Sequence, residues 1–385
     1  MNRRTALTTG IGALGFALSG CATRAPRAMA PAAPVRPRVR LTPLRVAPEL
    51  VIRSTVGLRP HRPHGFVLGA EKLDERLLVH NYGHGGAGWS LSWGTGSIAA
   101  DLVQEAGHRR AAVIGCGIVG IACARLLQRR GIQTTIYAAA IPPNTTSNMS
   151  EAAFTPTSGL VDFSQLTPAW EAQFRQAVEI AYRQWQLLVN PNMGVSWVDN
   201  YAPTENAGSR GGVSILPESV QGESTVLGPG EHPFGSTYAV HRREMRFEPS
   251  VALDALLRDF ILFGGRLEVR RFSSKAELAS LNEPAVVNCT GIGSKELMGD
   301  TELVPLKGQL HVLAPQPGVD YSTTGGLKVD LESPGGFLYM MPRRDGIVLG
   351  GTSERDMWTM EPNDTERQRI LTRHAELFAS MKTTS

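Results

Sequence analysis

The sequence predicts a mixed α/β fold, and three observations lead there. Residues 109–140, "RRAAVIGCGIVGIACARLLQRRGIQTTIYAAA", read as a strand, a glycine-rich turn, a helix and a second strand. Further on, two long amphipathic stretches alternate with short β-rich runs, as in chains that combine sheets with packed helices. Before both, residues 80–94, "HNYGHGGAGWSLSWG", form another glycine-rich turn that runs into a helix. Its place ahead of the first strand is the question the rest of the sequence answers.

Composition sets the outer bounds. With 42% hydrophobic and 19% charged residues, the 385-residue chain has core enough for one large or two interleaved domains. Arg3 and Arg4 precede the apolar run Ala13–Leu18, which leads into Ser19-Gly20-Cys21. That run is too short to cross a hydrocarbon core of ~30 Å. Residues 1–21 are therefore expected to be an export signal of the twin-arginine kind, with Cys21 as a lipid-attachment site on a periplasmic or membrane-anchored product. Residues 22–46, rich in Pro, Ala and Arg, are expected to be a flexible tether. Residues 1–48 hold eight arginines and no acid, and taking those eight from the formal +4 leaves −4 for the remainder. The basic balance belongs to the leader and tether, so it gives no argument for nucleic acid, and at most the tether rests on anionic lipid. Cys116, Cys123 and Cys289 lie in apolar or glycine-rich surroundings and read as buried thiols. No metal-type spacing of Cys or His is present.

In the dinucleotide unit, Ala111–Ile114 is an apolar strand and Gly115, Gly117 and Gly120 make G-x-G-x-x-G. Gly115 serves the tight turn, Gly117 lets backbone amides approach a pyrophosphate, and Gly120 lets helix and strand pack closely. The phosphates are expected on the helix N-terminus at Ile118 and Val119, where unpaired N–H groups and the dipole favour anions. Gly131 stops the helix before the strand Gln133–Tyr137. An acid usually ends that strand and bonds the ribose hydroxyls, but here Ala138-Ala139-Ala140 stand instead. Their presence weakens the case for NAD and lowers the expected affinity for any adenine dinucleotide. Thr145, Thr146 and Ser147 follow and offer hydroxyls to the same phosphates.

The remaining elements follow from periodicity. Helices are predicted at Pro168–Val189 and Pro249–Phe263, and strands at Arg266–Arg271, Gln309–Ala314, Gly336–Met341 and Gly346–Gly350. Residues 203–212 and 217–234 read as loops, the second a candidate lid.

Together "VIGCGIVGIACARLLQRRG", "TTSN", "VVNCTGIGSKEL", "KGQLHVL", "LYMMP", "VGLRPHRP" and "HNYGHGGAGWSLSWG" resemble the D-amino acid oxidase family of FAD enzymes, over Pro48–Ser385. In that family the glycine-rich turn and the GLRP-type arginine come near the C-terminus. The sequence thus resembles a circular permutation in which Val51–Glu105 has moved ahead of the first strand, so that the 80–94 turn faces the same site as the dinucleotide unit. Ser385 is then expected near residues 46–52. The resemblance implies FAD and a Rossmann-type FAD-binding domain, residues 47–160 and 250–305. This would be interleaved with an antiparallel-sheet substrate domain, residues 161–249 and 306–385.

The chemistry implied by the resemblance is hydride transfer from the substrate Cα to the flavin, hydrolysis of the imine to a 2-oxo acid and ammonia, and reoxidation by dioxygen to hydrogen peroxide. Arg59 matches the arginine that holds the substrate carboxylate, and Tyr339 the tyrosine that meets the same group. Gly86 would offer its carbonyl to the substrate ammonium. Gly85, Gly86, Ala87, Gly88, Trp89 and Ser90 match the loop at the flavin's pyrimidine end, with His84 and Tyr82 as supports. The family's lid tyrosine falls on Gly335, and Phe154-Thr155-Pro156-Thr157 replaces a bulkier polar wall. Arg343 resembles an arginine of the glycine oxidases, although with Arg344 it reads first as a solvated turn residue. The substrate is expected to be a D-amino acid or related amine. The rivals are a flavin dehydrogenase that passes electrons to another carrier and a non-catalytic flavin-binding lipoprotein. An NAD-dependent dehydrogenase comes last.

Overall fold

Among the described residues a 3-10 turn at Pro48–Leu50 leads into strand β1 (Val51–His61), followed by the hairpin β2 (Val67–Leu73) and β3 (Arg76–Tyr82) and by helix α1 (Gly88–Glu105). Next come β4 (Arg110–Ile114), α2 (Ile118–Arg129), β5 (Gln133–Ala138), α3 (Pro168–Leu187), β6 (Val195–Thr204), β7 (Ser224–Leu227) and β8 (Tyr238–Phe247). Then follow α4 (Pro249–Leu262), β9 (Arg266–Val269), α5 (Lys275–Ala279), β10 (Ala285–Asn288) and α6 (Ser294–Met298). The last elements are β11 (Val304–Leu313), β12 (Ser322–Thr324), β13 (Tyr339–Arg343), β14 (Gly346–Gly350), β15 (Glu354–Arg355) and α7 (Asp364–Ala379). This computed structural model describes residues 39–208, 214–326 and 337–382, so the export signal, Cys21, Gly335 and Ser385 lie outside the described residues.

Two sheets organise these elements. The smaller runs β2-β3-β10-β4-β5-β9, with every pair parallel except β2 with β3. β10 is buried along its whole length and β4 at every residue but Arg110, as expected of parallel strands covered on both faces. The larger sheet runs β1-β11-β14-β13-β12-β6-β8-β7, with β15 beside β11, and only its β12–β6 pair is parallel. Helices α1 and α2 lie in one core with the smaller sheet. Gly94 and Gly96 allow α1 to approach its neighbours: a Cβ on Gly94 would lie 1.8 Å from the Ala177 carbonyl oxygen of α3, and one on Gly96 3.2 Å from Cys123 Cα of α2. Trp185 of α3 reaches Phe247 of β8 with ring centroids 4.4 Å apart, which joins the helical layer to the larger sheet.

Local rules explain the long helices. Thr167 caps α3 by accepting from the Trp170 amide, Pro168 takes the first helical position, and Phe174, Ala177, Val178, Ala181 and Trp185 are buried on one face. Asn363 caps α7 through the Thr365 and Glu366 amides.

Four expectations need correction. β1, assigned by sequence to the cofactor domain, pairs with β11 from Val51↔Leu313 to His61↔Val304, because its partner lies far along the chain where adjacency gives no hint. Residues 217–234 are not one free lid, since β7 adds to the edge of the larger sheet against β8. The predicted strand at residues 336–341 is found at Tyr339–Arg343. Residues 39–46, assigned by sequence to the tether, are packed: Leu44 is buried, Leu41 and Val46 pack against the same cluster, and Tyr321 Oη donates to the Thr42 carbonyl at 2.8 Å. Met381, just beyond α7, belongs to that cluster together with Leu44.

Candidate active site

A cavity of about 430 Å³ lies where the parallel strands end. It extends from Ala138–Ala140 and Arg270–Ser273, past Gly115–Val119 and Ser147, to Arg59, Gly86 and Gly308. This is the crevice in which open α/β sheets bind ligands.

Backbone shape defines the dinucleotide end. Gly115 has φ +118°, and a Cβ there would lie 2.4 Å from the Cys289 carbonyl oxygen, so no other residue fits the turn. A Cβ on Gly120 would lie 2.1 Å from the Gly115 carbonyl oxygen, which places this glycine behind the cleft as the helix–strand contact. The Ile118 amide donates to Ser147 Oγ at 3.0 Å, and Trp89 Nε1 donates to the Ser147 carbonyl at 3.0 Å. A Cβ on Gly88 would lie 3.7 Å from Val119 Cγ2, so the N-termini of α1 and α2 converge on one region. Two positive helix ends beside a turn that admits no side chain fit the expected FAD, with its pyrophosphate at one helix and its ring toward the other.

Of the residues predicted for this end, Gly85, Gly86, Gly88, Trp89, Gly115, Gly117, Ile118, Val119, Thr145, Thr146 and Ser147 line the cleft. Ala87 is buried in the core, and Ser90 Oγ accepts from the Thr155 amide at 2.8 Å. The amides of Gly85, Gly86 and Ala87 are spent on the carbonyls of Pro60, Ser158 and His84, so the free N–H groups begin at the α1 terminus. Thr145 Oγ1 donates to Asn148 Oδ1 at 2.8 Å, which shapes the turn and leaves that hydroxyl no proton for a phosphate. His84 is a support as expected: its Nε2 pairs with Thr95 Oγ1 at 3.0 Å, and burial pushes its pKa down to about 3. Tyr82 Oη donates to Asp300, which also pairs with Arg62.

Sequence reasoning missed two features of the cleft. Arg270, Arg271 and Ser273 line the end where Ala138–Ala140 replace an acid, brought there by the β5–β9 pairing and the bond from the Arg270 amide to the Ala138 carbonyl. Asn81 also lines the cleft, its side chain fully buried. Its motif points to the Gly85–Ser90 loop and to Tyr82 and His84, and nothing in it singles out this asparagine.

At the other end two polar side chains lie on glycine. Arg59 belongs to β1, and its guanidinium covers Gly308 of β11 so closely that a Cβ there would lie 2.4 Å from Nη2. Its Nη1 donates to the Thr352 carbonyl at 3.0 Å. The Tyr339 ring lies on Gly350 and Gly351, where a Cβ on either would come within 2.3 Å of it. His374 Nε2 lies 3.1 Å from the Tyr339 carbonyl oxygen. Tyr339 is buried, and its hydroxyl lies within hydrogen-bonding reach of Arg59. Burial raises the phenol above its ordinary pKa, Arg59 opposes the rise and Glu151 adds to it, so the hydroxyl keeps its proton.

Arg343 is not a solvated turn residue. It is buried, donates to Asp345 at 2.9 and 3.0 Å, and reaches the Ser150 carbonyl at 2.9 Å, because the β13–β14 turn folds Asp345 back onto it. Arg344 is the exposed member of the pair. Glu151 is pushed up to about 8 by burial and the charge of Glu244, against the pull of Arg59, Arg343 and Arg242. Cys116, Cys123 and Cys289 are free and buried, and burial raises the Cys116 thiol to about 12. Among the described residues no group of three His, Cys, Asp or Glu could hold a metal ion, and no helix is long and apolar enough to cross a membrane.

The family described as DAO, FAD dependent oxidoreductase, matches residues 110–384, so β1, β2, β3 and α1 precede the matched region. A D-amino-acid oxidase of Rubrobacter xylanophilus is 31% identical over 282 residues, 70% of this chain and 77% of the relative. The human D-aspartate oxidase is 26% identical over 71% of this chain and 76% of its own. Among solved structures, glycine oxidase from Geobacillus kaustophilus is alike in fold, with a TM-score of 0.50 and 16% identity over 72% of this chain and 81% of that one. The chain belongs to the DAO family of FAD-dependent oxidoreductases and is an FAD-dependent enzyme.

Proposed function

We propose that the enzyme oxidatively deaminates D-amino acids, converting substrate, dioxygen and water to a 2-oxo acid, ammonia and hydrogen peroxide. The observation that carries this reading is Arg59 laid on Gly308 at one end of the cofactor cleft, with the hydroxyl of Tyr339, a residue buried behind the cleft lining, within reach of the guanidinium. A planar guanidinium binds a carboxylate through two parallel bonds, and a protonated phenol donates a third. Held so, the substrate is fixed by its carboxylate, with its ammonium toward the Gly86 carbonyl. When bound, the flavin supplies the hydride acceptor. No protein base is needed if the amine reacts unprotonated, and His84, buried and neutral, is not one. The pairing of Arg343 with Asp345 supports a neutral rather than acidic substrate side chain. The names of the relatives, D-amino-acid oxidase and D-aspartate oxidase, support the substrate class.

The test is the visible spectrum of the purified protein under anaerobic titration with D-amino acids and their L-counterparts. Bleaching by D-substrates alone, with peroxide formed in air, is expected. Bleaching by L-substrates or by none would overturn the reading, and bleaching without peroxide in air would assign a dehydrogenase.

Two further proposals concern the chain's layout. Residues 51–105 are the family's C-terminal segment carried to the front, a reading supported by their place before the family match and by the packing of Met381 with Leu44. The leader exports the protein, and Cys21 anchors it to lipid. Cys21→Ala is then expected to move the mature protein from the membrane fraction to the soluble periplasm.

A further inference from the structure

Adjacent strands of the smaller sheet each carry an asparagine at or next to their last residue, and the fold treats the two differently. Asn288, on β10, is partnered at both polar atoms: its Nδ2 donates to Ser294 Oγ at 3.1 Å, while Oδ1 accepts from the Thr290 amide at 3.1 Å and from Thr290 Oγ1 at 2.7 Å. Asn81, on β3 one residue beyond the partner of Asn288, is fully buried and lines the cofactor cleft, yet neither Nδ2 nor Oδ1 has a hydrogen-bond partner among the described residues. The thiol of Cys289 lies beside it, but a thiol is a weak partner and leaves the amide unsatisfied. A buried donor and acceptor are seldom left unmade in a native protein, so the missing partner belongs to whatever fills the cleft.

We infer that Asn81 binds the sugar-alcohol chain of FAD between the pyrophosphate and the ring. The order of the strand ends supports this. The β5 end, with Ala138–Ala140, forms one limit of the cleft, and the β4 turn with the α2 terminus provides the phosphate site. Continuing across the sheet leads to β10 and then β3, and Gly85 and Gly86 follow Asn81 closely in sequence beside Arg59. The chemistry supports it as well. A phosphate asks only for donors, whereas an amide offers one donor and one acceptor side by side, and a hydroxyl accepts the first and fills the second. The inference concerns the cofactor alone and stands whichever amino acid is oxidised.

The experiment uses the full chain stripped of FAD, as wild type and as Asn81→Leu, which keeps the shape and removes both polar atoms. Affinities for FAD and for ADP, which has the adenosine and both phosphates but no sugar alcohol, are measured by titration with the thermal midpoint of each apoprotein. Expected are FAD binding weakened about tenfold or more, ADP binding unchanged, and an apoprotein at least as stable as wild type because an unsatisfied buried amide is gone. Unchanged FAD affinity would overturn the inference. So would equal weakening of FAD and ADP in a less stable apoprotein, which would make Asn81 structural. If Asn81→Leu does not fold, wild-type apoprotein is titrated with an FAD analogue that lacks the side-chain hydroxyls: a similar loss supports the inference, and full affinity overturns it.

Discussion

On the proposed reading the two ends of the cleft face the same problem, holding an anion, and solve it with different materials. At the dinucleotide end the donors are backbone amides at two converging helix N-termini, and the glycines keep side chains out of the ligand's way. At the substrate end the donors are the side chains of Arg59 and Tyr339, and Gly308, Gly350 and Gly351 make room for the protein's own groups. One kind of glycine clears space for a ligand, and the other seats a side chain that will meet one. Substitutions at the two kinds should therefore fail differently.

The largest effect is expected at Gly115. Gly115→Ala forces a Cβ to within 2.4 Å of the Cys289 carbonyl oxygen in a backbone conformation that disfavours it, and the Cβ has no torsion by which to avoid that main-chain atom. Flavin content of the purified protein should fall to near zero. At the substrate end, Arg59→Ala should lower kcat/KM by about 10²–10³-fold while the protein stays yellow, since the half-buried charged partner of the carboxylate is lost and the glycine turn at Gly115 is untouched. Gly308→Ala should approach the same loss without removing any charge, because the new methyl occupies the guanidinium's place. If Gly308→Ala instead costs flavin rather than turnover, the division between the two ends is wrong. A smaller effect is expected of Tyr339→Phe, about tenfold in KM for one lost hydrogen bond. A change in KM alone would mean uniform binding, and an equal fall in kcat would mean a bond made mainly in the transition state.

The same contrast explains what the sequence revealed. The cradle was legible because its residues are contiguous: Gly115, Gly117 and Gly120 announce a strand, turn and helix within a few positions, and their spacing carries the geometry. Arg59 and Tyr339 were legible only through family resemblance, because the glycines beneath them belong to other strands. Gly308 opposes Gly57 in the β1–β11 register, which no local pattern encodes. Arg343 was misjudged for a related reason, since two arginines before Asp-Gly look like an exposed turn until Asp345 is seen to fold back on the first. Arg270, Arg271 and Asn81 were overlooked because strand register, not composition, brings them to the cleft.

The smallest expected effect is also the most selective probe of the substrate end. Glu151 titrates at about 8 in the folded protein against an ordinary 4.5, so between these values the folded state keeps a proton that the unfolded chain has released. Stability from this group is complete below about 4.5 and declines as pH rises through about 8. The buried histidines act in the opposite sense. His84 is lowered to about 3 and His311 and His374 to about 4 from the ordinary 6.5, so their contribution is present above 6.5 and lost as pH falls through those values. Glu151→Gln should leave the acid limb unchanged and flatten the decline toward pH 8, which denaturant midpoints across that range would register. Arg59 opposes the rise of Glu151, so Arg59→Ala should push that titration higher still. If Arg59→Ala leaves the alkaline limb where it was, Glu151 does not sense the guanidinium, and the charges of the substrate end do not act as one group.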